Sequence, residues 1–386
     1  MSPRSRATLR WIRRLALGGL AAWLLWDAWV RPVSPRTGPT PVPLTDGWVL
    51  APLGPAGLDP AKVEALAVKL FEPRLKVHAL LLERHGRLIA EYYQGGPDKS
   101  VYALLPSRRS FGPQEVQDVR SVGKSVTGLL YGLALAQGKV PPVETSVWTA
   151  FPEHAHLRTP ATANLRVEDL LNMTTGLQWR EGEPGFNDEL RLFWKTDLVG
   201  YVLGHAQVAA PGEQFNYNGG TTALLAELIR RGTGRSLEAF AQETLFQPLG
   251  MEGWTWAHDL HGRAMPFNGL RLRPRDLLKV GRLMLDHGVW QGRQVVPEAW
   301  VARSLSGRLT TNVRDFRYGA QWWHGTARHG GKPVAWHGCM GNGGQRLYVV
   351  PALDLSIVLT AGAYDELPTA IQVNDALQKL LDSVVG

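Results

Sequence analysis

Ser121 and Lys124 stand three residues apart in the stretch Asp118-Val119-Arg120-Ser121-Val122-Gly123-Lys124-Ser125. At that spacing a hydroxyl and an amine share one face of a helix. A neutral Lys124 can then take the Ser121 proton and leave an oxygen able to attack a carbonyl. An unperturbed lysine titrates near ~10.4, so this chemistry requires the Lys124 pKa to be lowered by burial or nearby positive potential. The N-terminal end of a helix supplies part of that potential. It also leaves the Ser121 amide without an intrahelical partner. That amide can donate to an oxyanion, unless the Asp118 side chain caps it.

Taken alone, S-x-x-K is a short pattern, and other chemistries compete for the same residues. Gly123-Lys124-Ser125 matches the tail of a phosphate-binding loop. That loop needs glycine where Asp118 stands, and a strand just before it. A Ser-His-Asp hydrolase would place its serine in G-x-S-x-G, which the chain lacks. Glu153-His154-Ala155-His156 and the group His324, His329 and His337 fit no zinc spacing. The single cysteine, Cys339, excludes a Cys-based zinc site and any disulfide within the chain. Glycines 338, 341, 343 and 344 put Arg346 where a dinucleotide fingerprint needs glycine. These counts leave no metal or dinucleotide cofactor site expected, and on its own the pair is either a nucleophile with its base or an exposed Ser and Lys at a helix start.

The elements that must position this pair are legible in outline. Leu129, Leu130, Leu133 and Ala134 form an apolar stripe, and Gly138 closes the helix that Ser121 opens. Val77–Leu82 and Arg87–Tyr93 are strand-like runs around His85-Gly86, a hairpin turn. Thr222–Arg231 and Arg275–Leu285 have helical spacing. Arg346–Val350 and Leu355–Thr360 are β-rich around the turn Pro351–Asp354, and Leu377, Leu380, Leu381 and Val384 mark a last amphipathic helix. Strands at both ends with helices between them predict an α+β domain built from both chain ends. Its helical insertion spans roughly residues 140–265.

Ser121–Ala134 with Gly138-Lys139 resembles the nucleophile helix of the serine β-lactamase and penicillin-binding protein superfamily. The closer likeness is to its class C and esterase branch, which includes 6-aminohexanoate-dimer hydrolase-like proteins. Further segments resemble that branch in order: Val167–Leu177, Pro211–Asn218, Pro248–Met251, Arg275–Gly281, Tyr318–Trp323 and Gly341–Gln345. The resemblance covers roughly residues 77–386 and implies an antiparallel sheet flanked by helices. It implies that Ser121 is the acylated nucleophile, Lys124 its general base, and Tyr217 the shuttle that protonates the leaving group. A phenol titrates near ~10, so Tyr217 needs a neighbouring cation, which Lys124 supplies.

The family usually has Asn or Ser two residues after that tyrosine. Here Gly219 stands there, and Asn218 is the candidate substitute. The third motif falls at His337-Gly338-Cys339 or at Met340-Gly341-Asn342. The Asn342 amide is favoured as second oxyanion donor beside that of Ser121, with Cys339 the alternative. His337 and Gly341 belong to the same substrate-facing strand edge. Trp179, Phe186, Trp194, Asn187 and Asp188 fall where the family can line its pocket, and Trp179 and Asp188 are the candidates for substrate contact. The expected reaction is hydrolysis of a small-molecule or peptide-like ester or amide. The alternative is a catalytically weak penicillin-binding-like protein that binds peptidoglycan or peptide at the cell envelope.

The chain has 386 residues and a net charge of +8, with 44% hydrophobic and 20% charged residues. That composition builds a proper core and excludes disorder. The charge is uneven. The first forty residues hold seven arginines against Asp27, so they carry +6 and leave the remainder at only +2. This argues against nucleic acid as a partner and for a targeting segment. Residues 1–14 read as a basic cytoplasmic tail, 15–30 as an uncleaved transmembrane signal anchor, and 31–46 as a Pro-rich linker. Residues 47–386 are then the catalytic domain, held outside the inner membrane on the periplasmic side by the positive-inside rule.

Overall fold

The computed structural model describes residues 3–181, 187–307, 309–313 and 315–385. Its centre is a nine-stranded sheet assembled from the two ends of the chain. The early strands are β1 (Val49–Leu50), β2 (Val77–Arg84) and β3 (Arg87–Tyr93). The late strands are β4 (Leu309–Thr310), β5 (Arg317–Gly319), β6 (Trp322–His329), β7 (Lys332–Gly341), β8 (Gln345–Val350) and β9 (Leu355–Ala361). In space they run β1-β3-β2-β9-β8-β7-β6-β5-β4. Every neighbouring pair is antiparallel except β1 and β3. The β2–β3 turn is tight because His85 (φ 54°) and Gly86 (φ 73°) both adopt the left-handed conformation that a two-residue hairpin requires.

Six helices exceed ten residues among the described residues: α1 (Pro3–Trp29), α2 (Pro60–Leu70), α3 (Val122–Ala136), α4 (Gly219–Thr233), α5 (Pro274–Leu285) and α6 (Leu367–Leu381). Alternation along each strand sends side chains to two cores. Leu80, Leu82, Ile357 and Leu359 face α2 and α6. Ala79, Leu81, Leu347 and Val358 face the core that α3, α4 and α5 share. This is why β2 and β9 are buried along their whole length.

Two glycines let α3 lie close to its neighbours. A Cβ on Gly128 would come within 2.9 Å of the Ala320 carbonyl oxygen, and one on Gly132 within 2.2 Å of the Trp300 ring. The Trp300 indole fills that gap and donates to the Gly128 carbonyl at 3.0 Å. Gln321 ties three elements together. Its carbonyl accepts from Ser125 Oγ at 2.6 Å, its side-chain oxygen accepts from Thr222 Oγ1 at 2.8 Å, and its Nε2 donates to the Leu170 carbonyl at 3.0 Å. The nucleophile helix, α4 and the helix Val167–Asn172 are thereby locked to one end of the sheet.

The basic and apolar N-terminal segment forms a single helix, α1, whose residues Leu17, Leu20, Trp23, Leu25 and Trp29 are exposed. No helix among the described residues is long and apolar enough to cross a membrane. The physical reason is in the segment itself: arginines at 10, 13 and 14 and Asp27 bracket a run shorter than the ~20 residues a span needs. The expectation of a transmembrane helix at residues 15–30 is therefore not supported. The end of α1 is held to the domain: Ala28 is buried and the Arg31 carbonyl accepts from Arg108 Nε at 2.9 Å, while Asp27 accepts locally from Arg31 at 3.0 Å.

Candidate active site

Ser121 sits immediately before α3, held there by an unusual backbone. Arg120 has φ 50°, a left-handed conformation that is uncommon for a residue with a side chain and recurs at functional turns. Its guanidinium lies 4.1 Å from the centre of the Tyr364 ring and donates to the Lys99 carbonyl. The Arg120 amide, not that of Ser121, donates to Asp118 Oδ1 at 3.0 Å. Asp118 therefore does not cap the Ser121 amide.

One helical turn on, Lys124 is almost completely buried. Its Nζ lies 3.1 Å from Ser121 Oγ, 2.7 Å from Glu189 Oε2 and 3.2 Å from the Phe267 carbonyl oxygen. These three acceptors match the three N–H bonds of an ammonium. Burial alone would push the Lys124 pKa down, but Glu189, Tyr217 and Glu181 outweigh it and hold the pKa above its ordinary value. The sequence-based expectation of a lowered pKa is thus reversed. The resting lysine is a donor, because a carboxylate rather than a second cation is its neighbour.

The Tyr217 ring lies 4.8 Å from Lys124 Nζ and stacks on Trp323 at 5.7 Å between centroids. Its hydroxyl is near enough to Ser121 for the serine to help stabilise a phenolate. Burial raises its pKa, Lys124 opposes that, and the net shift is upward. Ser121, Lys124 and Tyr217 are thus brought together from α3 and from the loop that enters α4.

Glu189 and Glu181 were not among the residues singled out from the sequence. Glu189 Oε1 accepts from Asn268 Nδ2 at 3.0 Å, which turns Oε2 toward the lysine. Glu181 accepts from the Trp179 indole at 2.7 Å and from the Gly219 amide. Burial and the nearby Glu189 push its pKa up to about 8, against the pull of Lys124. The available signal was Gly219: a Cβ there would lie 2.3 Å from Glu189 Oε2, so a glycine beside the second motif marks an occupied space. Asn268 and Phe267 are delivered by the short strand Leu270–Leu272, which pairs with Gln117–Asp118 just ahead of the nucleophile.

The remaining candidates divide. Asn342 lines the same cavity as Ser121, and its side chain is clamped by Asp365, donating at 2.6 Å and accepting from the Asp365 amide at 2.9 Å. Gly341 packs against that turn, since a Cβ there would lie 2.4 Å from the Val119 carbonyl oxygen. Trp179 is buried and reaches the site through Glu181. Asp188 is held elsewhere: it accepts from the Arg180 amide at 3.0 Å and the Tyr201 hydroxyl at 2.9 Å, while its neighbours Asn187 and Glu189 line the cavity. Asn218 caps α4 by accepting from the Thr221 amide at 3.2 Å. His337 pairs with His324 across β6 and β7, Nδ1 to Nδ1 at 2.8 Å, and does not line the Ser121 cavity. Cys339 is buried beside Ser125. Phe186 lies outside the described residues.

The cavity over Ser121 has a volume of about 270 Å³ and a mostly polar lining that carries both signs of charge, from Lys99, Arg120, Glu189 and Asp365. No group of three or more potential metal ligands occurs among the described residues.

Residues 69–380 match the family model described as Beta-lactamase. The chain belongs to the beta-lactamase family. It is 27% identical over 325 residues to a 6-aminohexanoate-dimer hydrolase of Paenarthrobacter ureafaciens, covering 77% of this chain and 76% of that one. Its fold resembles that of a putative 6-aminohexanoate-dimer hydrolase from Bacillus anthracis, with TM-score 0.67, 18% identity and 92% of each chain covered. A family VIII carboxylesterase also shares the fold, with TM-score 0.63, 15% identity, and 84% of this chain and 98% of that one covered. As a member of the beta-lactamase family, the protein is a serine hydrolase, and esterase or amidase activity is consistent with its relatives. The mixed α/β fold, with its large antiparallel-rich sheet, is the one the family resemblance implied.

Proposed function

We propose that this hydrolase cleaves a short ester or amide through an acyl-enzyme on Ser121. The observation that carries this reading is the cluster at the cavity wall: Lys124 Nζ lies 3.1 Å from Ser121 Oγ, which lines the cavity, and 4.8 Å from the centre of the Tyr217 ring. Ser121 Oγ attacks the carbonyl and its proton passes to Lys124. The oxyanion is met by the amides of Ser121 and Asn342, a donor pair that can supply several kcal/mol of transition-state stabilisation. Tyr217 protonates the leaving group, and water then releases the acyl group.

The charged lining of both signs favours substrates whose ends are polar or charged over plain alkyl esters. Amides and esters of amino acids come first, D-peptides next and β-lactams last. The exposed apolar face of α1 and its basic start support membrane association or export, with the catalytic domain on the extracytoplasmic side.

The test is covalent labelling. A fluorophosphonate should tag the wild type, and Ser121→Ala should abolish tagging. Equal labelling of both would sink the assignment. A panel of p-nitrophenyl esters and short amino-acid amides then ranks the substrates.

A further inference from the structure

Two observations meet at Gly219. The family resemblance places the side chain of Asn or Ser there, two residues after Tyr217, and this chain has none. The space it would enter holds Glu189 Oε2, the same oxygen that accepts from Lys124 at 2.7 Å. A carboxylate from another element therefore fills the place of a neutral side chain.

We propose that Glu189 is a proton-holding positioning residue: it stands in for the missing side chain and takes a proton from Lys124 when substrate closes the cavity, so that Lys124 meets Ser121 as a free amine. This rests on the reading of Ser121 as nucleophile.

The geometry sets the need for such a step. All three N–H bonds of the Lys124 ammonium have acceptors, so its nitrogen offers no lone pair to the Ser121 proton. Glu189 is the one partner of the three with a full negative charge. The titratable groups that bear most on Lys124 are Glu189, Tyr217 and Glu181; Tyr102 interacts with Glu189, and Lys99 and Arg120 line the same cavity. Moving a proton from Lys124 to Glu189 turns an ion pair into a neutral pair without changing the net charge. Expulsion of water favours that exchange, because desolvation penalises two charges and spares two neutral groups.

The protons then balance. Glu189 becomes the acid and Lys124 the amine. The Ser121 O–H bond breaks as the Oγ–carbon bond forms, the proton goes to Lys124, and the carbonyl electron pair goes to the oxyanion. When that pair returns, the bond to the leaving group breaks. The leaving group takes the Tyr217 proton, Tyr217 is refilled from Lys124, and Lys124 recovers its proton from Glu189.

The experiment measures phosphonylation of the full chain by a fluorophosphonate, which releases fluoride, and acylation by a neutral p-nitrophenyl ester, across pH 6 to 10. The variants are Glu189→Gln, Glu189→Asp, Ser121→Ala and the pair Glu189→Ala with Gly219→Ser. Near pH 7, Glu189→Gln should lower the rate by roughly 10²-fold with an unchanged KM, the size of a lost acid–base contribution. The deficit should narrow as pH rises, because Lys124 then sheds its proton to solvent. Glu189→Asp should recover part of the rate. The double variant should fold without recovering the neutral-pH rate, since serine holds the place but not the proton. A Glu189→Gln rate equal to wild type, or reduced by the same factor at every pH, overturns the inference and leaves Glu189 a place-holder. Labelling of Ser121→Ala would instead overturn the nucleophile assignment.

Discussion

Two buried ion pairs of this molecule share their chemistry and differ in their consequences. In the first, Arg275 of α5 meets Glu91 of β3, both about 1% exposed, with Nη2 to Oε1 at 2.6 Å and Nε to Oε2 at 2.8 Å. Arg275 also donates to Asp46 at 2.9 Å, and Glu91 accepts from the Tyr93 hydroxyl at 2.8 Å. In the second, Lys124 meets Glu189 at 2.7 Å, and the third member is the Ser121 hydroxyl at a cavity wall. A guanidinium does not give up its proton in a protein, and its planar fork fixes geometry. An ammonium can give one up. The residue type decides that the first pair holds α5 to the sheet and the second can carry protons.

The largest way to sharpen that contrast is Glu91→Ala. It leaves Arg275 buried with only Asp46 as a charged partner and should cost about 3–5 kcal/mol of stability. Protein that remains folded should acylate Ser121 at the wild-type rate. Denaturant unfolding, with labelling scaled to the folded fraction, checks both halves.

A smaller effect concerns Glu181. Its folded pKa, about 8, stands above the ordinary carboxylate value. Between the two values the folded state keeps a proton that the unfolded chain has lost, so stability falls as pH rises from about 5 to about 8. Melting temperatures across that window should decline by a few degrees, and Glu181→Gln should flatten the slope. An unchanged slope would mean that the carboxylate is solvated.

The smallest effect is assigned to His337. Burial lowers the pKa of His324 to about 3 and of His337 to about 4. Unfolded histidines bind protons at higher pH, so this pair loses stability as pH drops below ~6.5. His337→Gln should weaken that acid sensitivity, change stability near neutral pH by about 1 kcal/mol or less, and leave kcat unaltered. A large loss of kcat would return His337 to the active site.

Much of the frame was legible because its signals are local. A two-residue turn between alternating runs marks β2 and β3, and the apolar stripe after Ser121 marks α3. The ordered motifs place Ser121, Lys124 and Tyr217, because each lies within a short stretch of typical residues. Glu181 and Glu189 carry no such stretch, and they reach Lys124 only through tertiary packing. Asp188 and Glu189 show how fine the limit is. They are adjacent on a short helix, so their side chains leave it in different directions. One supports Arg180 and Tyr201, the other Lys124, and a linear reading cannot tell which. The transmembrane expectation is left unsupported on length, since arginines confine the apolar run that its composition suggested.

The sheet also imposes an order of events on synthesis. The β2–β3 hairpin leaves the ribosome early, yet the strand that completes β2 is β9, near the far end of the chain. Until β8 and β9 emerge, the apolar faces of the hairpin have no partner strands and α5 lacks the strands it packs on, while α3 and α4 already have each other. Pairing across so long an intervening chain is slow, because loop closure precedes any gain. A nascent chain arrested before residue 355 should therefore expose a sticky hairpin, making chaperone capture strongest late in translation.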